Sequence, residues 1–165
     1  MNYLLSDIAQ IVGGKHIGCD IRVSEVATDS RSVIASQEVV FAAIDGKHHD
    51  GHNYIARMLS RGVKAFIVER DMELPDKSCG MVVVDSTIDA LQRLAAHHRE
   101  AFKGCVVAIT GSNGKTIVKE WLYQLTADTH IVTRSPRSYN SQIGVPLSVW
   151  MLDEESTLGI FEAGI

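Results

Sequence analysis

Apolar and polar positions change period several times along the chain, and each change marks an element. Ser6 precedes Ile8, Ile11 and Val12 at helical spacing, with Gly13 and Gly14 behind them, which predicts a short helix capped by Ser6. Residues 21–28 alternate briefly as strands do, until Asp29, Ser30 and Arg31 break the pattern. Residues 39–44 form a continuous apolar run ending at Asp45-Gly46, the mark of a buried strand and its turn. After the polar stretch 47–53, Ile55, Met58 and Leu59 share one helical face closed by Gly62, and Ala65–Val68 is the next buried strand.

Residues 81–84 read as a further strand. Ser86 and Asp89 then form a capping pair for a helix whose apolar face is Ile88, Leu91, Leu94, Ala95 and Phe102. Residues 106–110 read as a strand, and 116–125 as a helix with Val118, Trp121, Leu122 and Leu125 inward. Residues 131–133 are another strand, a helix follows Pro146, and Leu158–Glu162 is a last strand. This alternation predicts an α/β fold with parallel layers. We expect a first domain over 1–80, a boundary strand and helix over 81–103, and a second domain over 104–165.

Composition narrows the function. A chain of 165 residues allows one ordinary domain or two small ones, and 45% hydrophobic residues suffice for a core. Sixteen Lys and Arg stand against 20 Asp and Glu, and no five-residue window is dominated by basic side chains. Coating a nucleic acid requires many phosphates to be neutralised, so that role is disfavoured, whereas one phosphorylated metabolite needs only a local cluster of donors. Cys19, Cys79 and Cys105 are odd in number and lack C-x-x-C spacing, as reduced thiols of a cytosolic protein would. The N-terminus has no basic segment, and Ser6, Asp7 and Gln10 interrupt its apolar stretch, so a signal peptide is not expected. No run approaches the roughly 18 apolar residues that a spanning helix requires, and a cytoplasmic protein without a membrane partner is expected.

The strongest chemical signal is Thr110-Gly111-Ser112-Asn113-Gly114-Lys115-Thr116, between an expected buried strand and an expected helix. Glycines there let backbone N–H groups turn around an anion, and the helix N-terminus adds its dipole. Lys115 supplies a point charge and Thr116 a hydroxyl for Mg²⁺. The first glycine of the general G-x-x-x-x-G-K-[ST] pattern is replaced by Ile109, which weakens a generic P-loop kinase or GTPase reading. The cluster His48, His49, Asp50 and His52 lacks the second cluster that a structural zinc site requires.

Taken with Tyr139-Asn140-Ser141-Gln142-Ile143-Gly144-Val145-Pro146 and Phe161-Glu162-Ala163-Gly164, the loop resembles that of the Mur ligases of peptidoglycan synthesis. Among them it is most similar to the MurF type. Thr28-Asp29-Ser30-Arg31, Val40-Phe41-Ala42-Ala43-Ile44-Asp45-Gly46 and Asp50-Gly51-His52 resemble the uridine-nucleotide-binding domain of the MurE and MurF types. Lys119-Glu120-Trp121 and the segment 135–139 resemble the form fused to alanine racemase.

The resemblance implies a small N-terminal α/β uridine-nucleotide-binding domain followed by the first part of a parallel-sheet P-loop ATPase domain. It implies an ATP-dependent ligase that uses Mg²⁺ and joins D-alanyl-D-alanine to UDP-N-acetylmuramoyl-tripeptide through an acyl phosphate. Residues 110–116 would hold ATP, with Lys115 on its phosphates and Thr116 and Glu162 on Mg²⁺. Asn140 would face the muramoyl peptide; Ser30 and Arg31, with Asp45, Gly46 and His52, would hold the uridine nucleotide. Ser141 departs from the second asparagine that many relatives carry. Because the family has three domains, this piece alone is expected to be inactive, with an open sheet edge that invites pairing with another copy. A MurE-type ligase and a nucleotide-binding fragment without turnover are the alternatives.

Overall fold

A computed structural model describes residues 2–33, 38–46 and 49–164. The chain divides into two compact units, Met1–Leu94 and Ala95–Ile165. Unit 1 comprises β1 (Tyr3–Leu4), α1 (Leu5–Val12), β2 (Lys15–Gly18), β3 (Arg22–Val23), β4 (Glu25–Ala27) and β5 (Val39–Ala42). A 3₁₀ turn (Gly51–Tyr54), α2 (Ile55–Ser60), β6 (Ala65–Val68) and β7 (Gly80–Val83) follow. The helix α3 (Thr87–Ala101) runs across the division. Unit 2 continues with β8 (Cys105–Ile109), α4 (Lys115–Thr126), β9 (Val132–Arg134), α5 (Gly144–Trp150) and β10 (Leu158–Glu162).

The main sheet of unit 1 has the order β2-β7-β6-β5-β4, parallel from β4 to β7, with β2 antiparallel at its edge. Every residue of β5 and β6 is buried, as apolar strands covered on both faces require. Val39, Phe41, Phe66, Val68 and Met81 point to one face, where Ile55 and Met58 of α2 pack with them. On α1, the buried residues are Leu5, Ile8, Ala9 and Val12.

Ser6 is not the cap of α1. The helix begins two residues earlier, at Leu5 with Leu4 in the cap position; its start is held by Asp7, which accepts the Leu4 N–H at 3.1 Å, and Ser6 bonds Asp20 through both N–H (2.9 Å) and hydroxyl (2.8 Å). In α3 the expected cap does form, with Ser86 Oγ accepting the Asp89 N–H at 3.2 Å. The strand β2 carries no apolar period in Lys-His-Ile-Gly and escapes the sequence pattern. Its place in the sheet comes from the register Lys15 to Val83 through Gly18 to Gly80.

Unit 2 has a parallel sheet of order β8-β10-β9, so the strand latest in sequence lies between the two earlier ones. Ala95, Phe102, Val149, Leu152 and Phe161 form its core. The helix α4 corrects the sequence expectation: Trp121 is 63% and Leu125 78% exposed, Val118 is also exposed, and the residue the helix buries is Lys119. On the inner face of α3, His98 is buried while His97 is exposed. The His98 ring stacks on Trp150 at 4.8 Å, and its Nε2 lies 2.7 Å from the Leu152 carbonyl.

Burial pushes the His98 pKa below its ordinary 6.5. The contribution of neutral His98 to stability is therefore full above pH 6.5 and declines as pH falls through the lower folded-state value, because the unfolded chain takes the proton first. Urea unfolding at pH 7.5 and 5.5 is expected to show lower stability at the acid value, with a smaller loss in His98→Phe. An equal loss in both proteins would contradict this account.

Candidate functional site

In a parallel sheet, the loops leaving the C-terminal ends of the strands gather on one edge. In unit 1 the described residues there are 28–33 after β4, 43–46 with 49–50 after β5, and Glu69-Arg70 after β6. Ser30 is buried, and its carbonyl accepts from the Arg61 guanidinium at 2.5 Å. Arg31 is 82% exposed at its side chain and paired with Asp29 at 2.8 Å. The guanidinium and the Arg31 N–H together hold the Asp29 carboxyl at about 2.

The described residues of the loop after β5 are closely bonded to one another. Asp45 and Asp50 form an isolated antiparallel bridge, and Gly46 N–H donates to the His49 carbonyl at 3.1 Å. The His52 side chain, 6% exposed, has both ring nitrogens engaged. Its Nε2 accepts the Glu69 N–H at 3.1 Å, which makes Nδ1 the protonated nitrogen, 2.6 Å from Asp50 Oδ1. Arg70 closes the cluster on Asp50 Oδ2. The His52 backbone N–H, then its ring and Arg70, hold the Asp50 carboxyl at about 2. Thus His52 braces the loop against β6, a role its position after Asp50-Gly51 did not announce. His48 lies outside the described residues; among those described, no group of three or more His, Cys, Asp or Glu could hold a metal ion.

In unit 2 the loop 110–114 leaves β8 and enters α4. Gly111 (φ 136°) and Gly114 (φ 80°) adopt backbone conformations that side chains disfavour, so the glycines are what let the loop turn. No side chain caps α4, which leaves its first N–H groups directed at the loop opening. Ser112, Asn113 and Thr110 are exposed, and Lys115 Nζ donates back to the Gly111 carbonyl.

The end of β10 brings Glu162 to this loop across 46 positions of sequence, and Thr116 Oγ1 donates to Glu162 Oε2 at 3.1 Å. Glu162 is wholly buried, as is Lys119, whose Nζ lies 2.9 Å from Oε1. That contact is an ion pair without hydrogen-bond alignment, and no hydrogen-bond donor satisfies Oε1. Lys119 Nζ donates instead to the Ser135 carbonyl at 2.9 Å and to the Arg137 carbonyl. Ser135 Oγ accepts the Glu162 N–H at 3.1 Å. Glu120 lies 3.4 Å from Lys119 and pairs with Arg134, so two cations and two carboxylates balance. The Arg134 guanidinium also sits 4.1 Å over the Tyr123 ring.

The Glu162 carboxylate, with Oε2 beside the Thr116 hydroxyl, is a hard oxygen set. It fits a small divalent cation that keeps most of its shell as water or phosphate oxygens. Asn140 reaches the same strand end through its backbone, its carbonyl accepting the Gly164 N–H at 2.8 Å. Ser141 holds the start of α5, accepting the Gly144 N–H at 3.0 Å. The structure thus gathers Gly111–Thr116, Glu162 and Asn140 in unit 2, and Ser30, Arg31, Asp45, Gly46 and His52 at one sheet edge in unit 1. The sequence reading missed Lys119 as a site residue, because a lysine inside an amphipathic helix reads as solvated.

Residues 22–99 match the catalytic domain of the Mur ligase family and 109–165 the Mur ligase middle domain. The UDP-N-acetylmuramoyl-tripeptide–D-alanyl-D-alanine ligase of Bacillus subtilis is 31% identical over 140 residues, covering 85% of this chain and 30% of the relative. That of Haemophilus influenzae is 35% identical over 162 residues, covering 95% and 35%. A crystal structure of MurF from Acinetobacter baumannii superposes with a TM-score of 0.89 at 28% identity, over all of this chain and 36% of that one. MurF ligase from Thermotoga maritima in complex with ADP gives 0.72 at 34% identity, over 85% and 32%. The chain spans about a third of the length of the curated relatives it matches.

Gly51 is the tightest point of the loop after β5, since a Cβ there would lie 2.6 Å from the Ile44 nitrogen and 2.9 Å from the Ala43 carbonyl carbon. Gly51→Ala is expected to cost about 1–3 kcal/mol in equilibrium urea unfolding, the usual range for overpacking against atoms that cannot move away. A change below about 0.5 kcal/mol, typical of open surface sites, would show that the loop yields.

Proposed function

This chain belongs to the Mur ligase family, and on that footing we propose that it forms the substrate-nucleotide and ATP-phosphate portions of a ligase. That ligase adds D-alanyl-D-alanine to UDP-N-acetylmuramoyl-tripeptide. The observation that carries this reading is the meeting of Thr116 and Glu162 at 3.1 Å, where a phosphate loop opens beside a strand-end carboxylate. Gly111, Gly114 and the N-terminus of α4 cradle the ATP phosphates through backbone N–H groups. Thr110, Ser112 and Asn113 line that cradle. Lys115 exchanges its bond to the Gly111 carbonyl for the phosphate oxygens.

In the reaction, the terminal carboxylate of the tripeptide attacks the γ-phosphorus of ATP, and the bond to the β-phosphate oxygen breaks to release ADP. The amine of D-alanyl-D-alanine then attacks the acyl carbon, phosphate leaves with the C–O bonding pair, and the nitrogen gives up a proton as the amide forms. The first step brings two anions together and the second expels phosphate, so fixed cations and backbone dipoles must hold the charge that develops on the transferring group. Thr116 and Glu162 would hold Mg²⁺, which supplies screening of the phosphate charge when bound.

On the substrate side, we assign the uridine diphosphate to the edge of unit 1. Arg31 offers a forked, exposed guanidinium, Ser30 its hydroxyl, and Asp45 with Gly46 the loop that His52 braces. Asn140 faces the muramoyl peptide. A soluble cytoplasmic setting follows from these substrates, and no helix of the described residues is long and apolar enough to cross a membrane.

Isothermal titration of ATP with Mg²⁺ into the chain and into Lys115→Ala tests the phosphate loop. Removing a charge-assisted contact worth about 1.5–3 kcal/mol is expected to weaken binding by roughly ten- to a hundredfold. Unchanged affinity in Lys115→Ala would sink the assignment.

A further inference from the structure

Lys119 is the one buried lysine or arginine among the described residues, and the nucleotide reading gives it no task. We propose that Lys119 is a positioning residue that presents Glu162 to the nucleotide-bound cation through a single oxygen, Oε2. The inference rests on the assignment of the phosphate site above.

A carboxylate held only at its carbon can rotate and offer either oxygen, or both, to a metal. Here the two oxygens have different neighbours: Lys119 Nζ stands 2.9 Å from Oε1, and Thr116 Oγ1 stands 3.1 Å from Oε2. A fixed positive charge on the Oε1 side repels a second cation, so a divalent ion approaches from the Oε2 side, where the phosphate loop opens. The ammonium is itself immobilised. It donates to the carbonyls of Ser135 and Arg137, and the Ser135 hydroxyl accepts the backbone N–H of Glu162. Ligand, counter-charge and anchoring loop therefore form one closed set, in which orientation passes from backbone to ammonium to carboxylate.

The same contacts reach beyond the metal. Arg137 has φ 52°, the one non-glycine residue with positive φ among those described, and its carbonyl is one of the two that Lys119 holds. The segment runs on to Asn140, whose carbonyl accepts the Gly164 N–H at 2.8 Å, two residues past Glu162. Apolar residues in place of both Lys119 and Glu162 would fill the same space without the desolvation of two ions, so burial of the pair is a weak device for stability and a strong one for fixing the carboxylate.

Binding of Mn²⁺ and ADP, followed by Mn²⁺ electron paramagnetic resonance together with calorimetry of ADP alone, separates this role from a structural one. In Lys119→Arg, which keeps the buried charge but displaces it, Mn²⁺ affinity in the presence of ADP is expected to fall roughly ten- to a hundredfold, the usual effect of losing a partner that orients a ligand. ADP affinity without metal is expected to stay within about twofold, because general disorder of the site would lower both. In a Glu162→Gln background the Arg substitution is expected to add nothing, since Lys119 acts through that carboxylate. Lys119→Met is the harsher variant, and Lys119→Arg carries the test if Lys119→Met does not fold. Unchanged Mn²⁺ affinity in Lys119→Arg, or an undiminished effect in the Glu162→Gln background, overturns the positioning role alone. A parent chain that binds neither ADP nor Mn²⁺ with ADP overturns the phosphate-site assignment and this inference with it.

Discussion

Removing a lysine and a glutamate from water costs several kcal/mol per ion, and attraction between them recovers that cost only when the surrounding groups are well placed. Unit 2 is arranged around meeting this condition at Lys119 and Glu162. The helix after the phosphate loop turns its lysine inward, the segment after β9 offers carbonyls to it, and β10 ends where the carboxylate completes the pair. Removing either partner alone would leave a buried charge, at a typical cost of about 3–5 kcal/mol. The phosphate loop, the strand-end carboxylate and the segment leading to Asn140 are therefore not independent pieces of a site.

Unit 1 uses the same physical device with a neutral group. His52 has one nitrogen donating and the other accepting, so its tautomer and ring orientation are fixed by Asp50 and the Glu69 backbone. In both units a side chain that is nearly or wholly out of solvent sets the shape of a loop at the C-terminal edge of a parallel sheet. Exposed groups near by, such as Arg31 in unit 1 and Ser112 and Asn113 in unit 2, are the ones to which our proposal gives the ligand contacts. Rigid support and open contact are divided between different residues.

Much of this was readable from local pattern. A continuous apolar run gave β6 its observed limits, because a strand buried on both faces favours apolar residues throughout. The glycine positions of the phosphate loop and the serine cap of α3 were legible because each answers a backbone demand within a few residues. What failed depended on distant partners. The apolar residues Val118, Trp121 and Leu125 of α4 suggested an inward face, but the sheet meets the helix on the side of Lys119, whose burial is decided by Glu162, 43 positions later. Ser6 looked like a cap until Asp20 claimed it. No local signal places β10 between β8 and β9.

That strand order also bears on how the protein is made. The strands β8 and β9 do not touch as neighbours, and each finds its partner only in β10. As the polypeptide is synthesised from its N-terminus, the sheet of unit 1 has all its strands once residue 83 has emerged, whereas that of unit 2 has no paired strands until residues 158–162 follow. For an interval of translation the nascent chain thus carries a folded first unit and an unpaired second one with apolar strands still exposed. Exposed apolar surface and unpaired strand edges of that kind are prone to aggregation, which is the hazard chaperones counter in general.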